Sequence, residues 1–177
     1  TYIWSNGPAT ADNTVTPTSN TVYSVIGTAT TGCPSVSVAT GVTLNALPVV
    51  NLGADTTVCD SLTLDAGPGF LTYSWNNGVL ATQTRPVLAT NTYFVEVMNT
   101  DSCIGYDTIL ITVNPTPTAL ITGDNTICPG GSTVLFANGG TTYDWNTGAT
   151  SPTITVSPAA DSTYALTATT NGCTSAP

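Results

Sequence analysis

Short runs in which apolar and polar residues alternate fill this chain, and turn-forming residues interrupt them about every 8 to 12 positions. The middle third shows the pattern most fully. Pro48-Val49-Val50-Asn51-Leu52 reads as an entering edge strand, with Pro at its first position where a missing N–H is tolerated. Ser61-Leu62-Thr63-Leu64-Asp65-Ala66 alternates strictly and sends Leu62, Leu64 and Ala66 to one face. After the Gly67-Pro68-Gly69 turn, Leu71–Trp75 places Tyr73 and Trp75 together, and Asn76-Asn77-Gly78 turns the chain again. In Thr92–Val97 the residues Tyr93, Val95 and Val97 face inward and Glu96 outward. A hairpin around Asp101-Ser102-Cys103 leads to a closing strand, Thr108–Val113. Some seven short strands of this kind predict an all-β, immunoglobulin-like two-sheet sandwich.

The pattern recurs. Tyr2-Ile-Trp4, Tyr73-Ser-Trp75 and Tyr143-Asp-Trp145 each run into a turn ending in Gly, then a second Tyr (Tyr23, Tyr93, Tyr164) and a Cys (Cys33, Cys103, Cys173). The Trp residues are 71 and 70 positions apart, and each Cys follows its Trp by 29, 28 and 28. Self-similarity at a fixed period marks an array of like modules. Ala46-Leu47-Pro48 and the stiff Asn114-Pro115-Thr116-Pro117 divide it into 1–47, 48–115 and 116–177. The first module lacks its two opening strands and the third, running through Val134-Leu135-Phe136, lacks its closing strand. The chain is therefore expected to be a window on a longer protein.

Composition sharpens this picture. Thr occurs 38 times, Gly 16 and Pro 12, while strong helix formers are nearly missing. Ten acidic residues face one basic residue, Arg85, for a net charge of −9. Such a surface repels nucleic acid and anionic membrane. Trypsin finds no easy site, because Arg85 precedes Pro86. No apolar run reaches the ~18 residues of a membrane span, and five Cys in a small β-rich chain point to an oxidising compartment.

Candidate chemistry is sparse. With no His, no Lys and no Cys outside the repeat positions, most nucleophile–base pairs are unavailable, and the chain is expected not to be an enzyme. Asp55, Asp60 and Asp65 could gather as carboxylates, but turn capping accounts for them. Calcium favours clustered Asp and loop carbonyls, yet the acidic residues are scattered with no DxDxDG-like loop; neither metal nor cofactor is expected. The Tyr-x-Trp pairs could stack sugars. Their place in every repeat instead marks Trp4, Trp75, Trp145, Tyr93 and Tyr164 as core aromatics, leaving Phe70 and Tyr106 as the exposed ones to inspect. Cys59 and Cys103 fall in the middle module and Cys128 and Cys173 in the third, 44 and 45 residues apart. Cys33 matches the second Cys of a module, so its partner lies upstream or in another molecule.

The run Asp55-Thr-Thr-Val-Cys59-Asp-Ser-Leu-Thr-Leu-Asp-Ala-Gly67, with Tyr73-Ser-Trp75-Asn-Asn-Gly78 and Thr92–Val97, resembles the immunoglobulin-like, PKD-related repeats of large Bacteroidota surface proteins. Cys128-Pro-Gly-Gly-Ser132 and Asn171-Gly-Cys173-Thr-Ser175 fit the same pattern, so the resemblance spans essentially the whole chain. It implies cargo of the type IX secretion system, such as gliding adhesins, exported across the outer membrane to the cell surface. The bridge expected in each module clips one end of the sandwich and contributes ~4 kcal/mol in the chain-entropy model. Asp followed by Ser or Thr at Thr56, Ser61, Thr108 and Ser162 resembles the O-glycosylation pattern of Bacteroidota envelope proteins. Expected partners are neighbouring modules or like chains, with surface glycans as a further candidate. Three functions follow: a non-catalytic repeat segment of a surface adhesin, stalk or fibre; a filament subunit joined head to tail by strand addition; and a carbohydrate-binding accessory module of a secreted hydrolase.

Overall fold

A computed structural model describes residues 1–76, 78 and 81–177. The described residues contain fifteen strands and no helix. The turn expected at Asn76-Asn77-Gly78 falls partly outside them at Asn77. The first three strands, β1 (Tyr2–Trp4), β2 (Thr21–Gly27) and β3 (Val38–Val42), form one antiparallel sheet in that order.

The middle stretch forms a two-sheet sandwich. Its strands are β4 (Thr56–Cys59), β5 (Leu62–Asp65), β6 (Thr72–Trp75), β7 (Thr84–Val87), β8 (Asn91–Met98) and β9 (Ile104–Asn114). One sheet has the order β4-β9-β8-β6 and the other pairs β5 with β7. Alternation drives the packing: Tyr93, Val95 and Val97 of β8 are buried beside Trp75, Val87, Ile109 and Ile111. Burying a side chain of that size contributes about 1.5–3 kcal/mol. Tyr93 also donates its hydroxyl proton to the Ala89 carbonyl oxygen at 2.8 Å, the corner bond typical of immunoglobulin-like sandwiches.

The expected edge strand over 48–52 is not formed. The Leu52 N–H donates to an Asp107 carboxylate oxygen at 2.7 Å, while Val50 and Leu52 still pack on the core. The opening strand is β4 instead, parallel to β9 with Cys59 opposite Asn114. Pro48 lies across the β8–β9 hairpin, and its carbonyl occupies the space a Cβ on Gly105 would need.

The last stretch contains β10 (Leu120–Thr122), β11 (Thr133–Asn138), β12 (Thr142–Trp145), β13 (Thr153–Val156), β14 (Leu166–Thr170) and β15 (Cys173–Thr174). Its two sheets run β10-β11-β13 and β12-β14-β15 around a second core built on Leu135, Trp145 and Leu166. Asn171 and Gly172, both at positive φ, make the two-residue turn from β14 to β15.

Three superposable registers tie the stretches together. Trp4 pairs with Val25, Trp75 with Val95 and Trp145 with Leu166. In each, the indole N–H donates to a carbonyl oxygen beyond the following turn: Thr10 at 3.0 Å, Thr82 at 2.8 Å and Ser151 at 2.9 Å.

Candidate functional site at the staple between units

The most heavily built feature outside the two cores is the junction where the middle stretch meets the last. Parallel pairing carries β4 and β9 to the same end of the sheet, so Cys59, Asp60 and Asn114 are neighbours there. The β14–β15 turn of the next unit arrives at this point. Cys173 is bonded to Cys59, with the Cα atoms 5.7 Å apart. Around the bond, the Asn114 side chain donates to the Asn171 carbonyl oxygen at 3.1 Å, and the Asp60 N–H donates to the Asn114 carbonyl oxygen at 2.9 Å. The Thr116 N–H donates to the Asp60 carboxylate at 2.8 Å, fixing the linker as it leaves β9. That backbone bond, with a smaller one from the Thr116 side chain, holds the Asp60 carboxyl below its ordinary range.

This corrects the expected pairing of Cys59 with Cys103 and of Cys128 with Cys173. Cys103, Cys128 and Cys33 are free thiols. Cys59 lies opposite Asn114, the last residue of β9, whereas Cys103 immediately precedes the strand's first residue. Eleven residues at about 3.3 Å each separate these ends, far beyond the ~7 Å a disulfide can span between Cα atoms. The opening cysteine and the hairpin cysteine of the middle stretch thus sit at opposite ends of its sandwich. The staple joins consecutive units end to end and does not clip either one.

The other candidate residues are dispersed. Asp55 accepts from the Leu110 N–H at 2.9 Å. Asp65 accepts from the Gln83 side chain and the Gly67 N–H, both at 2.8 Å, and these bonds lower its pKa in that order. The three carboxylates therefore serve backbone and turns and do not converge. Thr56, Ser61, Thr108 and Ser162 are all exposed. Among the expected core aromatics, Trp75, Trp145 and Tyr93 are buried, while Trp4 and Tyr164 are half-buried. Burial of Trp75 and Trp145 takes these two rings out of any sugar-stacking platform. Phe70 is half-buried edge-to-face on Tyr73, and Tyr106 is exposed beside Phe94.

Two features of the last unit bear on assembly. Residues 124–128, the counterpart of β4, have no strand partner among the described residues. Beside them lies a groove of about 810 Å3 between Ile127 and Tyr164, open to solvent. Among the described residues no helix is long and apolar enough to cross a membrane, and no group of three or more metal-ligating side chains gathers. Sequence reasoning missed Asn114 and Asn171. Their only trace is position: Asn114 stands just before the Pro-containing linker, and Asn171 opens the turn two residues before the repeat cysteine Cys173.

No protein-family model matches this chain, and no curated protein sequence does. Among solved structures it is similar to the eight N-terminal Ig domains of Down syndrome cell adhesion molecule isoform 1.30.30. That match has 13% identity and a TM-score of 0.41, covering 72% of this chain and 23% of that one. It is also similar to the FN1–FN3 domains of chicken CNTN1, at 15% identity and a TM-score of 0.25 over 86% of this chain and 73% of that one. The chain spans less than a quarter of the first of these structures.

Proposed function

We propose that this chain is a non-catalytic structural segment of an extracellular surface adhesin, stalk or fibre, made of modules at 1–47, 48–115 and 116–177. The observation that carries this reading is the Cys59–Cys173 bond, which rivets two sandwiches end to end across a Pro-containing linker. A bond placed there resists bending at the junction, the weakest point of a nearest-neighbour array. The acidic, Thr-rich, Lys-free surface suits exposure outside the cell, as does the disulfide. The sequence resemblance to Bacteroidota repeat proteins supports export by the type IX route, with Thr56, Ser61, Thr108 and Ser162 as accessible glycan acceptors.

Small-angle scattering tests the mechanical part. Residues 48–177 in line should give a rod two sandwiches long whose maximum dimension is unchanged by salt but falls when the disulfide is reduced. A compact particle, or one whose dimension ignores reduction, argues against a stalk. Surface shaving of cells that make the parent protein tests the location. A second reading, a filament subunit joined by strand addition, is favoured by the groove beside residues 124–128, an empty lane next to an unpaired segment.

A further inference from the structure

Comparison of the two junctions shows one closed and one half-built. Tyr23 and Tyr93 occupy the same register, since Tyr23 pairs with Thr40 and Tyr93 with Ile109. Val42 then corresponds to Ile111, Leu44 to Val113 and Asn45 to Asn114. A shared detail supports this alignment: the Leu44 N–H donates to the Asn20 side chain, and the Val113 N–H donates to the Thr90 hydroxyl, both at 2.8 Å.

In the middle unit the β8–β9 ladder ends at Ile111, and residues 111–114 remain a strand because β4 pairs with them. In the first unit no strand among the described residues flanks β3 on that side, and β3 stops at Val42, the counterpart of Ile111. Leu44 is 52% exposed where its counterpart Val113 packs against a core. The hairpin of the next unit reaches the chain just beyond this edge. The Asn99 side chain donates to the Ala46 carbonyl oxygen at 3.0 Å. The same hairpin carries the free, half-buried Cys103, in the position where the following unit places the bonded Cys173.

Resting on the modular-array reading, we propose that the free edge of β3 and the Cys103 thiol form one acceptor site. Its occupant is an extended segment of the chemistry of Asp55-Thr-Thr-Val-Cys59. That segment pairs in parallel with Val42–Asn45, lays its apolar residue beside Leu44, and brings its cysteine opposite Asn45 to bond Cys103. Asp124-Asn-Thr-Ile-Cys128, unpaired and with a free thiol, repeats the pattern, so another unit of this kind carries the required chemistry. The array is then stapled by a ladder of disulfides, each joining an opening cysteine to the hairpin cysteine of the following unit. Every rung forms from two thiols as a disulfide oxidant, such as oxidised glutathione, is reduced to two thiols.

The test uses the whole chain with Cys59–Cys173 formed and a peptide of sequence 51–65, its cysteine activated as a 2-thiopyridyl disulfide. The Cys103 thiolate attacks the peptide sulfur, the activated S–S bond breaks and thiopyridone leaves. Exposure alone makes Cys33 and Cys128 react before half-buried Cys103. Strand pairing reverses that order. Cys103 should react about tenfold faster with the native peptide than with a scrambled one, as expected of a templated, effectively intramolecular step. Amide exchange at Thr43–Asn45 should slow in the product, and Leu44→Asp should bring the native-to-scrambled ratio to one. A ratio near one in the unmodified chain, or preferential reaction at Cys33 or Cys128, overturns the proposal. Scattering from the untreated chain tests the array reading separately, so the two can fail independently.

Discussion

Replacing Cys59 and Cys173 with Ser should lower the two core-melting transitions unequally. Closure entropy for a loop of n residues stabilises by roughly 298 K × (2.1 + 1.5R ln n) cal/mol/K. If the last unit melts while the middle one stays folded, the closed loop runs the 59 residues from Asn114 to Cys173. If the middle unit melts first, the loop is about 55 residues, from Cys59 to Asn114. Either loop corresponds to about 4 kcal/mol. With both units unfolded, the 114-residue separation corresponds to only about 5 kcal/mol in total. The first unit to melt therefore gains about 4 kcal/mol from the bond and the second only about 1. In units of this size 1 kcal/mol moves a midpoint by ~4–8 °C. The double substitution should then drop the lower transition by roughly 15–30 °C and the upper by about 5 °C. Calorimetry measures both, and variants keeping only Trp75 or only Trp145 assign each transition to its unit. Cys103→Ser/Cys128→Ser should leave both midpoints in place, since those thiols are free. Equal shifts in the two transitions, or a large loss in the Cys103/Cys128 variant, would refute a staple between units.

Four further outcomes follow from individual contacts. Trp145→Ala should cost about 3–5 kcal/mol and lower only the transition of the last unit, because the side chain fills that core alone. Tyr93→Phe should cost about 1 kcal/mol through loss of the bond to the Ala89 carbonyl, read as a fall in the middle transition by denaturant titration. Arg85 stacks its guanidinium on Tyr93 at 5.1 Å, while its buried Nε and Nη1 have no hydrogen-bond partner among the described residues. Arg85→Met should therefore raise stability by about 1 kcal/mol, and a loss of that size instead would mean the guanidinium has a partner. The Asp60 carboxyl is held low in the folded chain, so its contribution is present above the ordinary carboxylate pKa and is lost as pH falls through the folded value. The Thr116 amide resonance should shift over that acid range and stay put in Asp60→Asn.

Strand faces were legible because they depend on a two-residue period alone: Leu64, Ala66, Trp75, Tyr93, Val95 and Val97 are all buried as their alternation requires. Edges were less legible. Pro48–Leu52 has the composition of a strand, but the Asp107 carboxylate takes the Leu52 N–H and no ladder forms. The disulfide was not legible at all, for a geometric reason. Spacing along the chain reports that Cys59 and Cys103 belong to one repeat, yet pairing depends on which end of the sandwich each occupies. That end is fixed by the direction of β4. Antiparallel to β9, Cys59 would run toward the hairpin that holds Cys103; the observed parallel pairing carries it to the opposite end, beside the next unit. One strand's orientation thus decides whether Cys59 closes its own sandwich or joins it covalently to the next.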